Sequence, residues 1–207
     1  MPSDSPSTGP SVRLAVVVCV GGRSRRMRRD KAELPIDGTT LLNRVLSAVS
    51  AAERRIVVGA RPEGAAPLPS DVLHIVEEPL HAGPAYAVSQ SVDELWDSTH
   101  TVVLAADLPF FTEEAFRILA ASAGDQVAAF ADENGRFQWL TSVWPNELLR
   151  ERADRIEPNA PMRRLFQGLD LKPVPWPGLG TPPWADCDTP EEWREALRKL
   201  GQSGVDG

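Results

Sequence analysis

The stretch that decides the fold is LAVVVCVGGRSRRMRRDK, which spans Leu14–Lys31. Its first seven residues are all apolar and mostly β-branched, a pattern that predicts a parallel strand buried on both faces. Two glycines, five arginines and a lysine follow. A tight Gly-Gly turn lets backbone N–H groups approach an anion, and arginine and lysine supply positive charge. The stretch therefore predicts a strand that leads into a phosphate-binding loop.

Two familiar nucleotide-binding loops do not fit this stretch. The dinucleotide fingerprint needs a third glycine and an acid after the second strand, where this chain has Gly59-Ala60-Arg61. The Walker loop ends in Gly-Lys-Ser/Thr, whereas this loop ends in Asp-Lys-Ala at 30–32. What remains is an anion site made of backbone amides, Arg26 and Lys31. We expect the Lys31 side chain in a solvated position.

The rest of the chain alternates between strand and helix patterns. Apolar residues at helical spacing predict three helices, which begin at residues 40, 84 and 113; the second continues to about residue 96. Between them, further buried strands are predicted at 55–60, 72–76, 101–106 and 126–131. Later, 137–144 predicts an antiparallel strand, 146–153 and 161–167 short helices, 171–175 a strand, and 188 onward a last helix. We predict an α/β fold of three layers: a doubly wound, mostly parallel sheet with one or more antiparallel strands in the second half.

Composition narrows the class of protein. The 207 residues carry 22 Lys+Arg and 29 Asp+Glu, and this net charge of -7 argues against a general nucleic-acid binder. No apolar run is long enough for a membrane span. Cys19 and Cys187 suggest neither a disulfide framework nor a metal pair, which favours a cytoplasmic location. We expect a disordered lead at 1–11, one domain at 12–200 and a flexible tail at 201–207.

Two aspartates are candidates for chemistry beside the opening loop. Asp107 ends the predicted strand at 101–106, and Asp188 precedes the last helix. Each aspartate could also have a purely structural role, since aspartate commonly forms turns after strands and caps helices. Together, however, two carboxylates near a triphosphate are what Mg²⁺ prefers.

These motifs together resemble the molybdenum cofactor guanylyltransferase family, a group within the sugar-nucleotide-type nucleotidyltransferases. The sequence GGRSRRM at 21–27, followed by Asp-Lys at 30–31, is similar to the family's opening signature. Gly-Pro at 83–84, Asp-Leu-Pro-Phe at 107–110, Gln-Trp-Leu at 138–140 and Asp-Thr-Pro-Glu-Glu at 188–192 follow in the family's order. The resemblance extends from about Leu14 to Leu200.

The resemblance implies a Mg²⁺-dependent transfer of GMP from GTP to the phosphate of molybdopterin, with release of pyrophosphate. It also implies molybdoenzymes or proteins of the cofactor pathway as partners. One or two tryptophans near Trp176–Trp184 are candidates to stack on a flat pterin. The implied site comprises Cys19, Val20, Gly21, Gly59 and Glu78 around base and ribose, Gly22 and Arg26 at the triphosphate, Lys31 at the leaving pyrophosphate, and Asp107 and Asp188 at Mg²⁺. Of these, Arg26, Lys31 and Asp107 are the implied catalytic residues.

The sequence departs from the family pattern at positions that bear on specificity. Arg28 replaces the glycine after the motif methionine, and Gly59 stands where guanylyltransferases tend to have a base-contacting asparagine. Asp188 also replaces an asparagine, as in cytidylyl- and adenylyl-transferring relatives. Two alternatives therefore stay open: a related cytidylyl- or other nucleotidyltransferase with another phosphate acceptor, and a non-catalytic nucleotide-binding homologue.

Overall fold

A seven-stranded sheet forms the centre of the protein. The structure is a computed structural model and describes residues 12–21, 31–178 and 180–203. The strands run in the order β5-β4-β1-β6-β8-β7-β9 across the sheet, and β2 and β3 form a separate hairpin. The strands are β1 (Leu14–Cys19), β2 (Pro35–Ile36), β3 (Thr39–Thr40), β4 (Arg54–Val58), β5 (Val72–Ile75), β6 (His100–Ala105), β7 (Ala128–Ala131), β8 (Phe137–Pro145) and β9 (Lys172–Val174).

Strand direction in the sheet agrees with the prediction. β1 pairs in parallel with β4 and β6, and β4 with β5. β8 is antiparallel to both of its neighbours, β6 and β7, while β9 is parallel to β7. Of the seven strands described in this sheet, β8 alone therefore runs opposite to the others. Its first residues lie at the edge where the parallel strands end.

Helices cover both faces of the sheet. They are α1 (Leu41–Ala48), α2 (Pro84–Ser89), α3 (Glu113–Ala121), α4 (Asn146–Ala153) and α5 (Pro190–Ser203). Successive side chains of β1 alternate between two apolar cores: Val16 and Val18 pack with α1 and α3, whereas Ala15 and Val17 pack with α2 and α4. This alternation is the period of a strand covered on both faces. The three-layer, doubly wound prediction is confirmed.

Predicted helix starts are also confirmed. The Thr40 side chain accepts a hydrogen bond from the backbone N–H of Asn43, and Thr112 accepts one from that of Ala115. Serine and threonine favour this position because their oxygens satisfy an otherwise unpaired N–H of the first turn. Among the described residues, no helix combines the length and apolarity needed to cross a membrane.

Two helical predictions differ from the structure. The helix predicted from 84 to about 96 ends at Ser89 and is followed by a 3₁₀ turn at Val92–Leu95. Buried Ser91 donates its hydroxyl to the carbonyl of Val88, a local bond that competes with helix continuation. The helix predicted at 161–167 is only a 3₁₀ turn at Met162–Arg164. At the other end of the chain, α5 continues beyond the predicted domain end at residue 200.

The hairpin of β2 and β3 was absent from the prediction, although it positions the site. Asp37 and Gly38 form its turn with φ values of 45° and 76°, a conformation that Asp-Gly pairs favour. It follows a 3₁₀ turn at Lys31–Glu33. Ile36 of the hairpin forms a small core with Leu34 and Leu41, and Trp193 and Leu200 of α5 pack against it. The C-terminal helix is thereby anchored to the segment that carries Lys31.

Candidate active site

The carboxyl ends of β1, β4 and β6 meet at one edge of the sheet. The backbone N–H of Val20 donates to the carbonyl of Val58 at 2.9 Å, and that of Ala106 donates to the carbonyl of Cys19 at 3.1 Å. Asp107 follows directly after these paired residues. In open α/β sheets, ligands bind beyond the carboxyl ends of the strands, and this edge is therefore the expected position of the site.

Two glycines allow the backbones after β1 and β4 to approach each other. Gly59 has φ +125°, and a Cβ there would lie 2.3 Å from the carbonyl oxygen of Val20. Gly21 has φ +84°, and its Cβ would lie 3.0 Å from the carbonyl oxygen of Ala60. The distance at Gly59 is too short for any Cβ, and the one at Gly21 is tight and combines with a positive φ that disfavours side chains. A side chain at position 59 would therefore clash with the backbone that follows β1.

Lys31 joins two residues from distant parts of the chain. Its Nζ lies 3.2 Å from Asp107 Oδ2 and also forms an ion pair with Asp188 Oδ1. Burial opposes the charged ammonium, but the hydrogen bond that Lys31 donates to Asp188 and the charge of Asp107 outweigh this effect and raise the pKa of Lys31. The Lys31 side chain is only 14% exposed. The expectation of a solvated lysine is therefore wrong, because two carboxylates enclose its ammonium.

Asp188 is available to Lys31 because its neighbour caps α5. The Thr189 side chain accepts from the backbone N–H of Glu192 at 3.2 Å, and the Glu192 carboxylate accepts from the backbone N–H of Thr189 at 2.9 Å. This reciprocal pair is a capping box. Thr189, and not Asp188, therefore caps the first turn of α5.

Asp186 adds a third carboxyl group to this site, and Cys187 adds a thiol. Burial, together with the charges of Asp188 and Asp107, raises the pKa of Asp186. Burial and the same acidic surroundings, with Asp107 the largest charge, raise the pKa of the Cys187 thiol to about 12. The thiol is therefore protonated at neutral pH. Sequence inspection singled out neither residue for the site, although both lie beside Asp188.

An ion pair holds the Lys31–Glu33 turn in place. The Glu33 Oε1 accepts from Nε and Nη2 of Arg61 at 3.0 and 2.6 Å, and Oε2 accepts from the backbone N–H of Ala66 at 3.0 Å. Both side chains are largely buried, 10% and 14% exposed. The segment 61–69, predicted only as a loop, therefore fixes the turn that presents Lys31.

Two acidic residues follow β5, of which Glu77 is buried and Glu78 is exposed. One oxygen of Glu77 accepts from the backbone N–H of His81 at 2.9 Å, and within the described residues the other has no partner. Burial, with the charge of Glu77, raises the pKa of Cys19 to about 12. The implied nucleotide contact of Glu78 remains a prediction, and Glu77 is the acid that lies beside the end of β1.

Several residues that the sequence predicts for the site are not part of the arrangement around Lys31. Gly22 and Arg26, together with Arg28, lie outside the described residues. Trp176 and Trp184, the candidates for pterin stacking, pack against the buried ring of Phe130, with centroids 6.0 and 5.4 Å away.

The arrangement fits a divalent ion bound together with phosphates. Asp107 and Asp188 converge on one cation, the Lys31 ammonium, so the same carboxylates could hold a metal ion. Among the described residues, no group of three or more His, Cys, Asp or Glu side chains forms a ready-made metal site. Mg²⁺ characteristically takes one or two carboxylates and completes its shell with water and phosphate oxygens. The donor set therefore suits an ion that arrives with a nucleotide.

The doubly wound sheet, with a lysine and two aspartates at its carboxyl edge, defines an α/β nucleotidyltransferase. The model of the MobA-like NTP transferase domain matches residues 16–174, and the chain belongs to this family. Over 204 residues it is 30% identical to the molybdenum cofactor guanylyltransferase of Rhizobium johnstonii (strain DSM 114642 / LMG 32736 / 3841), covering 89% of this chain and 95% of that protein.

Solved structures share the fold at low sequence identity. A nucleotidyl transferase from Methanothermobacter thermautotroptrophicus superposes with a TM-score of 0.74 at 18% identity, covering 93% of this chain and 100% of that one. A Mycobacterium tuberculosis protein, solved in complex with manganese, gives a TM-score of 0.65 at 15% identity and covers 91% and 99%. The family resemblance predicted from the sequence is confirmed.

Proposed function

We propose that the protein transfers GMP from GTP to the phosphate of molybdopterin in a reaction that requires Mg²⁺ and releases pyrophosphate. The observation that carries this proposal is the contact of Lys31 with both Asp107 and Asp188. It joins a cation suited to phosphate oxygens and two carboxylates suited to a metal ion. The guanylyltransferase named among the relatives supports the choice of nucleotide and acceptor.

The reaction needs no nucleophile from the protein. An oxygen of the acceptor phosphate attacks the α-phosphorus of GTP in line, and the bond from that phosphorus to the oxygen bridging to the β-phosphate breaks. Lys31 donates to oxygens of the leaving pyrophosphate and stabilises its growing charge. Asp107 and Asp188 would hold Mg²⁺, which when bound neutralises charge on the phosphates. Positioning and charge stabilisation then account for most of the rate enhancement.

The test compares nucleotides and one aspartate variant. Purified protein is mixed with each NTP and Mg²⁺, its melting temperature is measured, and pyrophosphate release is followed after molybdopterin is added. We expect GTP to give the largest stabilisation and the fastest release. Asp107→Asn should lower turnover about a hundredfold or more, because it removes a charge that acts on the transition state. Asp125→Asn, on an exposed loop, is the matched control and should keep full activity.

Three outcomes would contradict parts of the proposal. Stabilisation by CTP without GTP would support the cytidylyl alternative. GTP binding without pyrophosphate release would support the non-catalytic alternative. Full activity of Asp107→Asn would remove Asp107 from the metal site.

A further inference from the structure

One ammonium group is shared by the two carboxylates that are proposed to hold the metal ion. Lys31 Nζ lies 3.2 Å from Asp107 Oδ2 and forms a second ion pair with Asp188 Oδ1. The Lys31 side chain is 14% exposed, whereas those of Asp107 and Asp188 are 25% and 53% exposed. A dissolved metal ion can therefore approach the carboxylates, but it meets a cation that is already bound to them.

The backbone that carries each carboxylate is held by hydrogen bonds of its own. After β6, the backbone N–H of Ala106 donates to the carbonyl of Cys19 at 3.1 Å, which fixes the residue before Asp107. Before α5, the backbone N–H of Asp188 donates to the Glu192 carboxylate at 2.7 Å. We therefore expect both carboxylates to keep their positions when the ammonium leaves them.

The lysine side chain can move while its backbone stays in place. Glu33 fixes the Lys31–Glu33 turn, since its carboxylate accepts from Arg61 at 2.6 Å and from the backbone N–H of Ala66 at 3.0 Å. The ammonium, by contrast, lies at the end of a flexible four-carbon stem. Only the side chain has to turn to reach other oxygens, and phosphate oxygens are common partners of lysine.

The ammonium and a divalent ion cannot both occupy this position at low cost. Mg²⁺ takes one or two carboxylates, and here these are the two that Lys31 contacts. Like charges at hydrogen-bonding distance repel each other strongly. The apparent affinity for the metal is therefore lowered by the fraction of molecules in which Lys31 holds the carboxylates.

We propose that Lys31 is an internal competitor of the metal ion for Asp107 and Asp188, so that the site binds the metal tightly only together with a triphosphate. Oxygens of the triphosphate accept from the ammonium, and the carboxylates become available to the metal. Each ligand then raises the affinity of the other by the same factor. This inference rests on the proposed function, because it concerns the same metal ion and nucleotide. It adds that a divalent ion alone is bound weakly.

The experiment measures the affinity for Mn²⁺ without nucleotide, from the loss of the electron paramagnetic resonance signal of the free ion. Mn²⁺ is the probe because it prefers the same oxygen ligands as Mg²⁺. The proteins are the wild type, Lys31→Met, which removes the charge, Lys31→Arg, which keeps it, and the control Arg44→Gln. Arg44 is a matched control because it lies near the site and donates to the carbonyl of Pro109 at 2.8 Å, while its ion-pair partner is Asp37.

We expect Lys31→Met to bind Mn²⁺ about tenfold more tightly than the wild type, and Lys31→Arg and Arg44→Gln to bind it as the wild type does. Adding Asp107→Asn to Lys31→Met should abolish the gain, because the ion loses one of its carboxylates. A gain of the same size in Arg44→Gln would reveal a general charge effect and overturn the inference. If Lys31→Met does not fold, Lys31→Gln takes its place.

Pyrophosphate release by the wild type separates this inference from the proposed function. Release from GTP in the presence of molybdopterin, with the same Mn²⁺ affinity in Lys31→Met and the wild type, would overturn the competition alone. Tighter Mn²⁺ binding by Lys31→Met, without any release by the wild type, would overturn the proposed function and keep the competition. A lysine with a purely catalytic or structural role would lower turnover or stability when replaced, but its loss would not tighten the binding of the metal.

Discussion

Two cationic regions of the protein differ in how their charge is balanced. Lys31 is largely buried and contacts two carboxylates, Asp107 and Asp188. Arg163 and Arg164 are exposed beside a cavity and, in the part of the chain that the structure describes, have no carboxylate partner. Both regions carry charges suited to phosphate, but within the described residues only the first is balanced by carboxylates.

The difference indicates how each region responds to a ligand. At Lys31, a metal ion and a triphosphate would exchange one set of ion pairs for another, since the metal takes the carboxylates and the phosphates take the ammonium. At Arg163 and Arg164, an anion would not have to displace a carboxylate of the described residues, and the side chain to which Arg164 donates, at 2.5 Å, is the neutral Gln167. The first region therefore suits a charge-balanced complex of metal and nucleotide, and the second suits an anionic ligand alone. The following variants test this contrast.

The largest expected effect comes from Lys31→Ala. Turnover should fall about a hundredfold to a thousandfold, because a charge aimed at the leaving group is lost. The melting temperature should fall by only a few degrees, since Asp107 and Asp188 are partly solvated and can rehydrate. The raised pKa keeps the ammonium charged beyond pH 10.5, so the deficit should persist at pH 9. Lys172→Ala, exposed on β9, is the control, and equal turnover losses in the two variants would contradict the role of Lys31.

An intermediate effect is expected from Glu33→Gln, which weakens the support of the Lys31–Glu33 turn but leaves Lys31 itself unchanged. The change leaves the largely buried Arg61 without its ionic partner. We expect a loss of about 2 kcal/mol in the free energy of unfolding, measured by urea denaturation, and a smaller turnover loss than in Lys31→Ala. The exposed pair of Glu113 and Arg117 provides the control, since Glu113→Gln should change stability by less than about 0.5 kcal/mol. Similar losses in both variants would show that Glu33 has no special role.

The smallest expected effect is a stabilisation by Asp186→Asn. The pKa of Asp186 is raised in the folded protein, so its ionised form opposes folding. This penalty is absent below the ordinary carboxyl pKa of about 3.9 and complete above the raised folded pKa. The variant should therefore melt roughly 1 °C higher than the wild type at pH 8, an increase typical of relieving weak charge repulsion, and the gain should shrink at pH 4. A lower melting temperature at pH 8 would show that Asp186 stabilises the fold.

Much of the fold could be predicted because local patterns determine it. The apolar run of β1 has the length and composition of a doubly covered strand, and Thr40 and Thr112 cap the helices predicted to follow them. The position of Asp107 at the end of a strand was equally readable. Short elements escaped prediction. The hairpin of two-residue strands offers too little periodicity, and buried Ser91 ended a helix through a single side-chain bond.

Where two adjacent residues are chemically similar, the sequence did not predict which of them faces the site. Asp188 and Thr189 are both good helix caps by residue type, and the capping box with Glu192 leaves Asp188 for Lys31. Glu77 and Glu78 are adjacent acids, and only their orientation after β5 buries the first and exposes the second. Sequence motifs specify the kinds of residue at such positions, whereas packing decides which one faces the site.

The sequence by itself determined the α/β class and the family to which the chain belongs, and it predicts that the opening loop binds phosphate. These properties depend on residues close together in the chain, where spacing and residue type carry the information. Only the tertiary structure decided that Lys31 meets Asp107 and Asp188, 76 and 157 residues away. It also decided that Trp139 lines a cavity together with Arg163 and Arg164, which have no carboxylate partner among the described residues. Such contacts depend on how the sheet, the hairpin and the C-terminal helix pack together. Charge and aromatic interactions act through space between residues that are distant in the chain, so they produce no periodic pattern in the sequence.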